Sequence, residues 1–379
     1  MTVLLRIFIV TLVLLGLWSP GAWASIAAVS GSTLVYAASP SETNAISFEP
    51  AFFDAGAVAI QDSVPLTPGA GCAAVSTTKV ECRRAGLTRA QFTLGDRDDN
   101  FAVSGDPGLA ILVSGDGGND TLRGDDAVGN VLAGGDGDDL VVGGDRADTL
   151  SGDAGDDDIQ GQPGPDVIRG GAGSDVITGD TPLGGGSPGD DVIDAGPGRD
   201  SITGQGGDDT LAGGGGNDHF FEDFLTDRAG GGSDVLIGGP GVDLADYGFR
   251  VPGDGALRVS LDGRANDGQS GEGDNVRPDV ENVAGAGSAR NVLVGSGRRN
   301  NLAGGGARDL IVGRGGNDVL RGSGGRDTLK GSGGRDRFIA NDCTRDRVNG
   351  GSGRDYATID LGRLDRVRKV ERRRRARCA

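Results

Sequence analysis

Aspartates that recur every nine residues are the side chains of this sequence best placed to do chemistry. From residue 143 the chain reads GGDRADTLS, GDAGDDDIQ, GQPGPDVIR and GGAGSDVIT, with aspartate at the sixth position of each segment. After an insertion at 179–185 the register resumes as GSPGDDVID, AGPGRDSIT, GQGGDDTLA and GGGGNDHFF. Carboxylates on glycine-rich turns offer hard oxygen ligands, which are the donors that Ca²⁺ prefers in flexible sites. The spacing therefore indicates a series of cation sites.

The residues around each aspartate predict the element that positions it. Glycine at the first or second position, and usually at the fourth, allows the positive φ angles of a tight turn. Positions six to nine alternate around an apolar eighth residue, as expected of a very short half-buried strand. The eighth residues of the regular segments are Leu150, Ile159, Ile168, Ile177, Ile193, Ile202, Leu211 and Phe220. Stacked coils would bury these side chains as one ladder, so we predict an all-β parallel β-roll, a solenoid of nonapeptide repeats.

The charge of the chain explains why a cation is needed. With 74 glycines and a net charge of −18, the composition alone would suggest disorder, but periodic glycine indicates repeated turns instead. Stacking in register places equivalent carboxylates about 5 Å apart, at a cost of roughly 0.8 kcal/mol per neighbouring pair in water. A divalent cation between coils reverses the sign of this term. We therefore expect stacking to require Ca²⁺, which suits a flexible oxygen site better than Mg²⁺ or Zn²⁺.

A second array follows after a gap. It reads GSGRRNNLA, then GRGGNDVLR, GSGGRDTLK and GSGGRDRFI, and ends in the weaker segments ANDCTRDRVN and GGSGRDYAT. The sixth position is Asn300 in the first segment, and the fifth position is often arginine, at Arg308, Arg326, Arg335 and Arg354. An arginine beside the ligand would neutralise the carboxylate in place of calcium. We therefore expect weaker calcium binding in the second array.

The pattern G-G-x-G-x-D-x-U-x, with U apolar, resembles the RTX repeat of haemolysin-type calcium-binding proteins. The resemblance covers about residues 104–358, with a gap between the arrays. It implies ions held between turns by the sixth-position aspartate and by carbonyl groups of the glycine-rich turn. The implied metal ligands are Asp120, Asp139, Asp148, Asp157, Asp166, Asp175, Asp191, Asp200, Asp209, Asp218, Asp234, Asp243, Asp309, Asp318, Asp327, Asp336 and Asp355.

The N-terminus departs from the family pattern, since its toxins and proteases usually carry a C-terminal export signal. Here Arg6 precedes an apolar run at 7–17 and the motif Ala22-Trp23-Ala24, which is typical of a secretory signal peptide cleaved after Ala24. An uncleaved anchor is the alternative, although the run is short for a membrane span. We expect a secreted chain with no integral membrane span after cleavage.

The cysteines agree with an exported protein. Cys72, Cys82, Cys343 and Cys378 form an even set, which predicts disulfides between Cys72 and Cys82 and between Cys343 and Cys378. A zinc site is the alternative, but the chain has one histidine and no C-x-x-C motif.

These features divide the chain into a signal peptide at 1–24, a β cap region at 25–103 and a first β-roll array at 104–248. A β insert or linker at 249–283, expected to form a hairpin between two stacked rolls, then precedes the second array at 284–359. A basic tail, RLDRVRKVERRRRARCA, ends the chain within 360–379. Export argues against nucleic acid as its partner. An anionic cell-wall or surface polymer, the acidic roll itself and no partner at all remain open.

The favoured function is that of a secreted, non-enzymatic calcium-binding protein whose folding is coupled to calcium. His219 occupies an outward seventh position, and without a second histidine it completes no known catalytic motif, so we expect a surface residue. One alternative is an extracellular enzyme with its site in residues 25–93 or 250–283. Another is an adhesin or polysaccharide-binding solenoid. The sequence does not identify the biological role or the number of ions.

Overall fold

The computed structural model describes residues 24–39, 41–51, 56–181, 187–221, 232–249, 255–361 and 365–377. These residues form strands and turns, with no helix among them. In this part of the chain there is accordingly no apolar helix of membrane-spanning length. The predicted signal peptide and Cys378 lie outside the described residues.

A small β region precedes the repeats, as predicted. Its strands are β1 (Ser25–Ser30), β2 (Thr33–Ala37), β3 (Ala45–Pro50), β4 (Ala57–Gln61), β5 (Leu66–Pro68), β6 (Cys72–Ala74) and β7 (Lys79–Arg83). Antiparallel pairs join β1 to β2, β3 to β4 and β7 to both β4 and β6. The predicted Cys72–Cys82 disulfide is confirmed and links β6 to β7. We call strands β1–β7 the cap.

The first array, together with strands β8 and β9 just before it, alternates mainly between two sheets. In chain order these strands are β8 (Arg89–Gly95), β9 (Asn100–Val103), β10 (Ala110–Gly117), β11 (Thr121–Arg123), β12 (Asn130–Asp136), β13 (Leu140–Val142), β14 (Thr149–Ala154), β15 (Asp158–Gln160), β16 (Val167–Ala172), β17 (Val176–Thr178), β18 (Val192–Asp194), β19 (Pro197–Gly198), β20 (Ser201–Thr203), β21 (Thr210–Ala212), β22 (Gly215–Gly216), β23 (His219–Phe221), β24 (Val235–Ile237) and β25 (Leu244–Asp246). The remaining strands are β26 (Leu257–Ser260), β27 (Asn275–Val276), β28 (Asn282–Ala284), β29 (Asn291–Val294), β30 (Asn301–Ala303), β31 (Leu310–Gly315), β32 (Val319–Arg321), β33 (Thr328–Gly333), β34 (Arg337–Ala340), β35 (Arg347–Ser352), β36 (Tyr356–Asp360), β37 (Arg366–Arg368) and β38 (Arg372–Ala376).

Parallel pairing builds three long sheets and a short two-stranded sheet of β19 and β22, which confirms the β-roll. Sheet 1 runs in the order β8, β10, β12, β14, β16, β18, β21, β24 and β27. Sheet 2 runs through β9, β11, β13, β15, β17, β20, β23, β25, β28, β30, β32, β34, β36 and β38. Sheet 3 runs through β26, β29, β31, β33, β35 and β37. The cap continues this stack in parallel, because β2 pairs with β8 and β3 pairs with β9.

The eighth positions form the core, as predicted. The residues from Leu150 to Phe220 that were assigned to this position are all at most 2% exposed. In register, Ile159 lies beside Ile177, and Ile177 beside Ile202. One continuous cluster of buried side chains reaches from Ala27 in the cap to Val370 near the C-terminus. The cap therefore closes one end of the same hydrophobic core that the repeats build.

The junction between the arrays differs from the expected hairpin between two rolls. Strand β28 pairs with β25 on one side and with β30 on the other, so sheet 2 crosses from one array to the next without a break. Only the opposite side changes sheet, where sheet 1 ends at β27 and sheet 3 begins at β26. The described antiparallel contacts here are two isolated bridges, at Arg258–Gly268 and Asp267–Asp274. A continuous stack is favoured over two separate rolls, because it leaves no apolar end exposed between the arrays.

The basic tail is also part of the roll. Strand β37 pairs with β35, and β38 pairs with β36, so the residues at 366–376 form a last coil. Arg373 aligns with the buried residue Ala357, which places a charge where earlier coils carry an apolar core residue. Charged residues on an edge strand hinder pairing with further strands. The arginines thus end the stack.

Glycine at the fourth position is required by close packing of the coils. Gly173 has a φ of 149°, and a Cβ there would collide with the carbonyl oxygen of Gly155 in the neighbouring coil. No other residue type combines this backbone angle with so short an approach. The periodic glycines of the sequence therefore reflect coil-to-coil contact as well as turn formation.

Candidate metal centre

The sixth-position residues form rows along the roll. The row that precedes the strands of sheet 2, which we call row 2, contains Asp99, Asp120, Asp139, Asp157, Asp175, Asp200, Asp218 and Asp243, followed by Glu281, Asn300, Asp318, Asp336, Asp355 and Glu371. Row 1, before sheet 1, contains Asn130, Asp148, Asp166, Asp191, Asp209, Asp234 and Asp274. Row 3, before sheet 3, contains Asn291, Asp309, Asp327, Asp346 and Asp365.

One oxygen of each carboxylate links successive coils. The backbone N–H of Asp120 donates to Oδ1 of Asp139 (2.7 Å), and that of Asp139 donates to Oδ1 of Asp157 (2.8 Å). The same bond joins Asp175 to Asp200 (2.9 Å). Since a carboxylate is placed to accept a backbone donor in the preceding coil, each aspartate is held in one orientation.

The second oxygen of most row aspartates is buried without a hydrogen-bond partner. This is true of Oδ2 in Asp120, Asp139, Asp148, Asp157, Asp166, Asp175, Asp191, Asp200, Asp218, Asp243, Asp318, Asp327, Asp336 and Asp355. A buried carboxylate oxygen that contacts neither a donor nor water carries a large desolvation penalty. These orphaned oxygens are the observation that a bound cation would explain.

Carbonyl groups of the glycine turns converge on the same oxygens. A Cβ built on Gly152 would meet both Oδ2 of Asp157 and the carbonyl oxygen of Gly170 in the next coil. Gly161 stands in the same relation to Asp166 and to the carbonyl of Gly179. The donor set is thus entirely oxygen, from carboxylates and backbone carbonyls. It fits Ca²⁺, which takes such ligands in irregular geometry.

Burial and neighbouring carboxylates raise the pKa values of the row aspartates. Desolvation is the largest cause throughout, hydrogen bonds from backbone N–H groups oppose it, and adjacent carboxylates add to it. The pKa of Asp191 rises to about 9, those of Asp166 and Asp327 to about 8, and that of Asp200 to about 7. Without a cation the rows would therefore hold protons near neutral pH.

Every aspartate predicted as a ligand lies in one of the three rows and is at most 5% exposed. That each one binds calcium remains a prediction. Sequence analysis missed further members of the rows, including Asp99, Asp346 and Asp365. Asp346 and Asp365 each follow the preceding member of row 3 by 19 residues, where regular coils have 18. A repeat pattern that allows one extra residue per coil would include Asp346 and Asp365.

The arginines at the fifth position form no ion pair with the row aspartates in the described part of the chain. Arg308, Arg326, Arg335 and Arg354 are exposed, whereas the aspartates that follow them are buried. The backbone N–H of Asp355 and, to a smaller extent, the charge of Arg354 lower the pKa of Glu371 at the end of row 2. The structure therefore gives no support for arginine in place of calcium at these aspartates, and weaker calcium binding by the second array remains a prediction.

His219 lies on the outer surface of β23. Its Nε2 atom is 3.2 Å from Oδ2 of Asp246, and its ring packs on Phe221 with centroids 3.7 Å apart. Burial alone would raise the pKa of Asp246, but the hydrogen bond with His219 lowers it. The imidazole is partly exposed and shares a hydrogen bond with the Asp246 carboxylate at the surface.

Replacing Asp200 with alanine should destabilise the protein much more than replacing His219. In saturating calcium, Asp200→Ala removes a predicted cation ligand and the acceptor of the Asp175 N–H, which should cost on the order of 2–4 kcal/mol. His219→Ala removes a partly exposed hydrogen bond to Asp246, which contributes at most about 1 kcal/mol. The measurement is thermal unfolding of both variants in saturating calcium.

The matched control for Asp200→Ala is Asp194→Ala, which removes an exposed carboxylate from the same coil and should change the stability by less than about 0.5 kcal/mol. A larger loss of stability from His219→Ala than from Asp200→Ala would show that the register of the rows has been misassigned.

The family model described as the RTX calcium-binding nonapeptide repeat, in four copies, matches the chain repeatedly. The matched segments are 112–127, 133–165, 151–181, 185–220, 228–248, 286–320, 312–342 and 321–357, which together cover more than half of the sequence. A search of curated proteins found no match. The matched segments carry the aspartate rows and glycine turns described above, so the chain belongs to the family of RTX calcium-binding nonapeptide repeat proteins.

Proposed function

We propose that this chain is a secreted, non-enzymatic protein that binds calcium along its rows and folds in response to it. The observation that carries the proposal is the series of buried, unpartnered Oδ2 atoms, each beside a carbonyl group of a glycine turn. Bound Ca²⁺ supplies positive charge and takes these oxygens as ligands. The rest of the roll, with its thin apolar core, positions them.

Coupling to folding follows from where the ligands come from. Asp157 and Asp175 belong to different coils and come together only when β15 pairs with β17. In the unfolded chain the same carboxylates are separated by 18 residues. Ligands that converge only in the folded state make the free energy of metal binding part of the free energy of folding. The chain would then be compact where calcium is abundant and loose where it is scarce.

A non-enzymatic role is supported by the state of Asp267. This carboxylate lines a shallow pocket with Ala256, Arg258 and Gln269 in the segment where an enzyme site was considered. Burial raises its pKa to about 7, but its Oδ1 accepts the N–H of Ser260 (2.6 Å) and its Oδ2 accepts the N–H of Val276 (3.0 Å). Both oxygens hold the backbone together, which is a structural role.

Secretion is supported by the signal-like N-terminus and by the Cys72–Cys82 disulfide, which favours an oxidising compartment. An anionic surface polymer is the partner that best suits the exposed arginines of β38, from Arg372 to Arg375. This docking would use the end of the stack and leave the calcium rows free. We propose it as the contact that retains the secreted protein at a cell surface.

Calcium calorimetry tests the proposed function. Calcium-free mature chain, residues 25–379, is titrated with Ca²⁺ and separately with Mg²⁺ at neutral pH in buffers of different ionisation enthalpy. We expect several Ca²⁺ ions to bind per chain, with proton release because the row carboxylates have raised pKa values. Mg²⁺ should bind more weakly, since it dehydrates reluctantly and demands octahedral geometry. Absence of Ca²⁺ binding, or equal binding of Mg²⁺, would contradict the proposal.

A further inference from the structure

We infer that Asp342 turns the junction between Asp327 and Asp346 into a site of three carboxylates, which binds a divalent cation more tightly than the other junctions along the rows. The inference rests on the proposed calcium binding by the rows and assigns the strongest site to one irregular coil. Asp342 is outside the rows. It lies four residues before Asp346, the distance that separates the second position from the sixth in regular segments.

An extra residue in this coil accounts for the arrangement. Asp336 and Asp346 are ten residues apart, where regular sixth positions are nine apart. The non-glycine residue with a positive φ before Asp346 is Cys343 (φ 72°), which is next to Asp342. In the preceding segment it is Ser332 (φ 82°), at the second position. The altered turn leaves Asp342 half-buried.

Other aspartates at the second position behave differently. Asp116 and Asp153 also have positive φ angles, but both are exposed. Each accepts a hydrogen bond from a nearby serine hydroxyl, from Ser114 at 2.6 Å and from Ser151 at 2.7 Å. An aspartate at this position in these two regular turns is thus a surface residue. Asp125 and Asp180 are buried in two other irregular turns, but within the described residues only Asp342 forms a group of three close carboxylates with two row aspartates.

The three carboxylates lie close together. One oxygen from each of Asp327, Asp342 and Asp346 lies within 4.8 Å of the other two. Asp327 and Asp346 are 1% and 0% exposed, and Oδ2 of all three residues is buried without a hydrogen-bond partner. Three carboxylates at this separation repel one another unless a cation lies between them.

The remaining oxygens are already fixed by the protein. Oδ1 of Asp342 accepts both the N–H and the hydroxyl of Thr344, at 2.9 and 2.8 Å. Oδ1 of Asp346 accepts the N–H of Asp327 at 2.8 Å. The Thr344 hydroxyl also contacts the carbonyl oxygen of Gly325. These bonds hold the site in shape, so less ordering is required when an ion binds.

The donor set selects a hard divalent cation. All donors are oxygens, and the neighbouring Cys343 is disulfide-bonded, so no thiolate is available to favour Zn²⁺. Affinity at calcium sites rises with the number of charged ligands and with rigidity. Three carboxylates, two of which accept hydrogen bonds from Thr344, therefore favour Ca²⁺ here over the junctions where two row carboxylates meet.

The test compares Asp342→Asn with Asp153→Asn, which makes the same change at a second position that faces solvent. Full-length mature protein is titrated with Ca²⁺ in competition with a calcium chelator. We expect Asp342→Asn to weaken the tightest site by about tenfold or more, leaving the weaker sites unchanged. Asp153→Asn should match the unmodified protein. An unchanged tightest site in Asp342→Asn would overturn the inference.

A second readout covers the case in which Asp342→Asn folds poorly. The calcium concentration at the midpoint of folding is measured by circular dichroism for both variants. A midpoint shifted to higher calcium in Asp342→Asn alone supports the inference, and equal midpoints overturn it. The outcomes also separate this inference from the proposed function, because a protein without calcium-dependent rows would show no calcium binding in any variant.

Discussion

Removing calcium with excess chelator at neutral pH is expected to unfold the β-roll. Each coil contributes buried carboxylates such as Asp157 and Asp200, and their Oδ2 atoms have no protein partner. Without a cation these carboxylates must either stay charged while buried beside other carboxylates or take up protons. Either cost recurs in every coil, while each coil adds only a few apolar side chains to the core. Stability that depends on nearest-neighbour contacts along a solenoid is then lost along the whole array.

The measurement is far-ultraviolet circular dichroism before and after addition of chelator, and again after excess Ca²⁺ is restored. The β-sheet signal of the repeats should disappear and then return. Mg²⁺ at the same concentration is the control for ionic strength and should restore little. A roll signal that persists unchanged in chelator would show that the rows are stable without calcium.

The cap is expected to retain structure under the same conditions. It buries aromatic side chains, including Tyr36 and Phe48, and is closed by the Cys72–Cys82 disulfide. Phe48 packs on Phe92 of the adjoining strand β8, with ring centroids 5.2 Å apart, and Phe92 packs on Phe101 of β9 at 4.6 Å. A residual β signal after calcium removal would therefore come from this end of the chain.

The regular coils could be predicted from the sequence because their two requirements repeat with the same period. An apolar residue such as Ile177 recurs to fill the core, and an aspartate such as Asp175 recurs two positions before it. The burial of Ile177 and the register of both residues agree with the prediction. Periodicity indicates both requirements at once, because the two residues recur together in every regular coil.

The irregular coils could not be predicted, because stacking constrains strands and leaves turn lengths free. Asp346 and Asp365 enter row 3 although the coils before them are one residue longer than the pattern. Glu281 replaces an aspartate where the arrays meet, and its carboxylate accepts the N–H of Asp243 at 3.1 Å. The longer side chain keeps row 2 continuous across a junction that the sequence suggested was a break.

Burial contributes more than repulsion to the need for a cation. From spacing alone, repulsion between neighbouring carboxylates was the reason for a cation. In the structure desolvation is the larger cause of the raised pKa values, and repulsion between neighbours such as Asp191 and Asp209 adds to it. Burial of the sixth position could not be read from the pattern, because alternation alone does not say which face a turn residue takes.

The pH dependence of the calcium-free protein should run opposite to that of the calcium-bound protein. Row aspartates have an ordinary pKa near 3.8 when unfolded, and in the folded protein burial raises it to about 6 for Asp139, about 8 for Asp166 and about 9 for Asp191. The folded state therefore holds these protons more tightly than the unfolded state. The resulting stability is fully present below about pH 4 and is lost as the pH rises through 6 to 9.

Calcium reverses this sign because it binds only the deprotonated carboxylates, so acid displaces it. Protein freed of calcium on a chelating resin, rather than by a soluble chelator that weakens in acid, should show a thermal unfolding transition of the roll at about pH 5 and little or no such transition at about pH 8. In saturating calcium the midpoint should instead be higher at about pH 8. The comparison uses thermal melting of the same preparation with and without calcium. A calcium-free midpoint that rises with pH would mean that the row carboxylates are not held protonated, and that the rows are stabilised by something other than a proton or a cation.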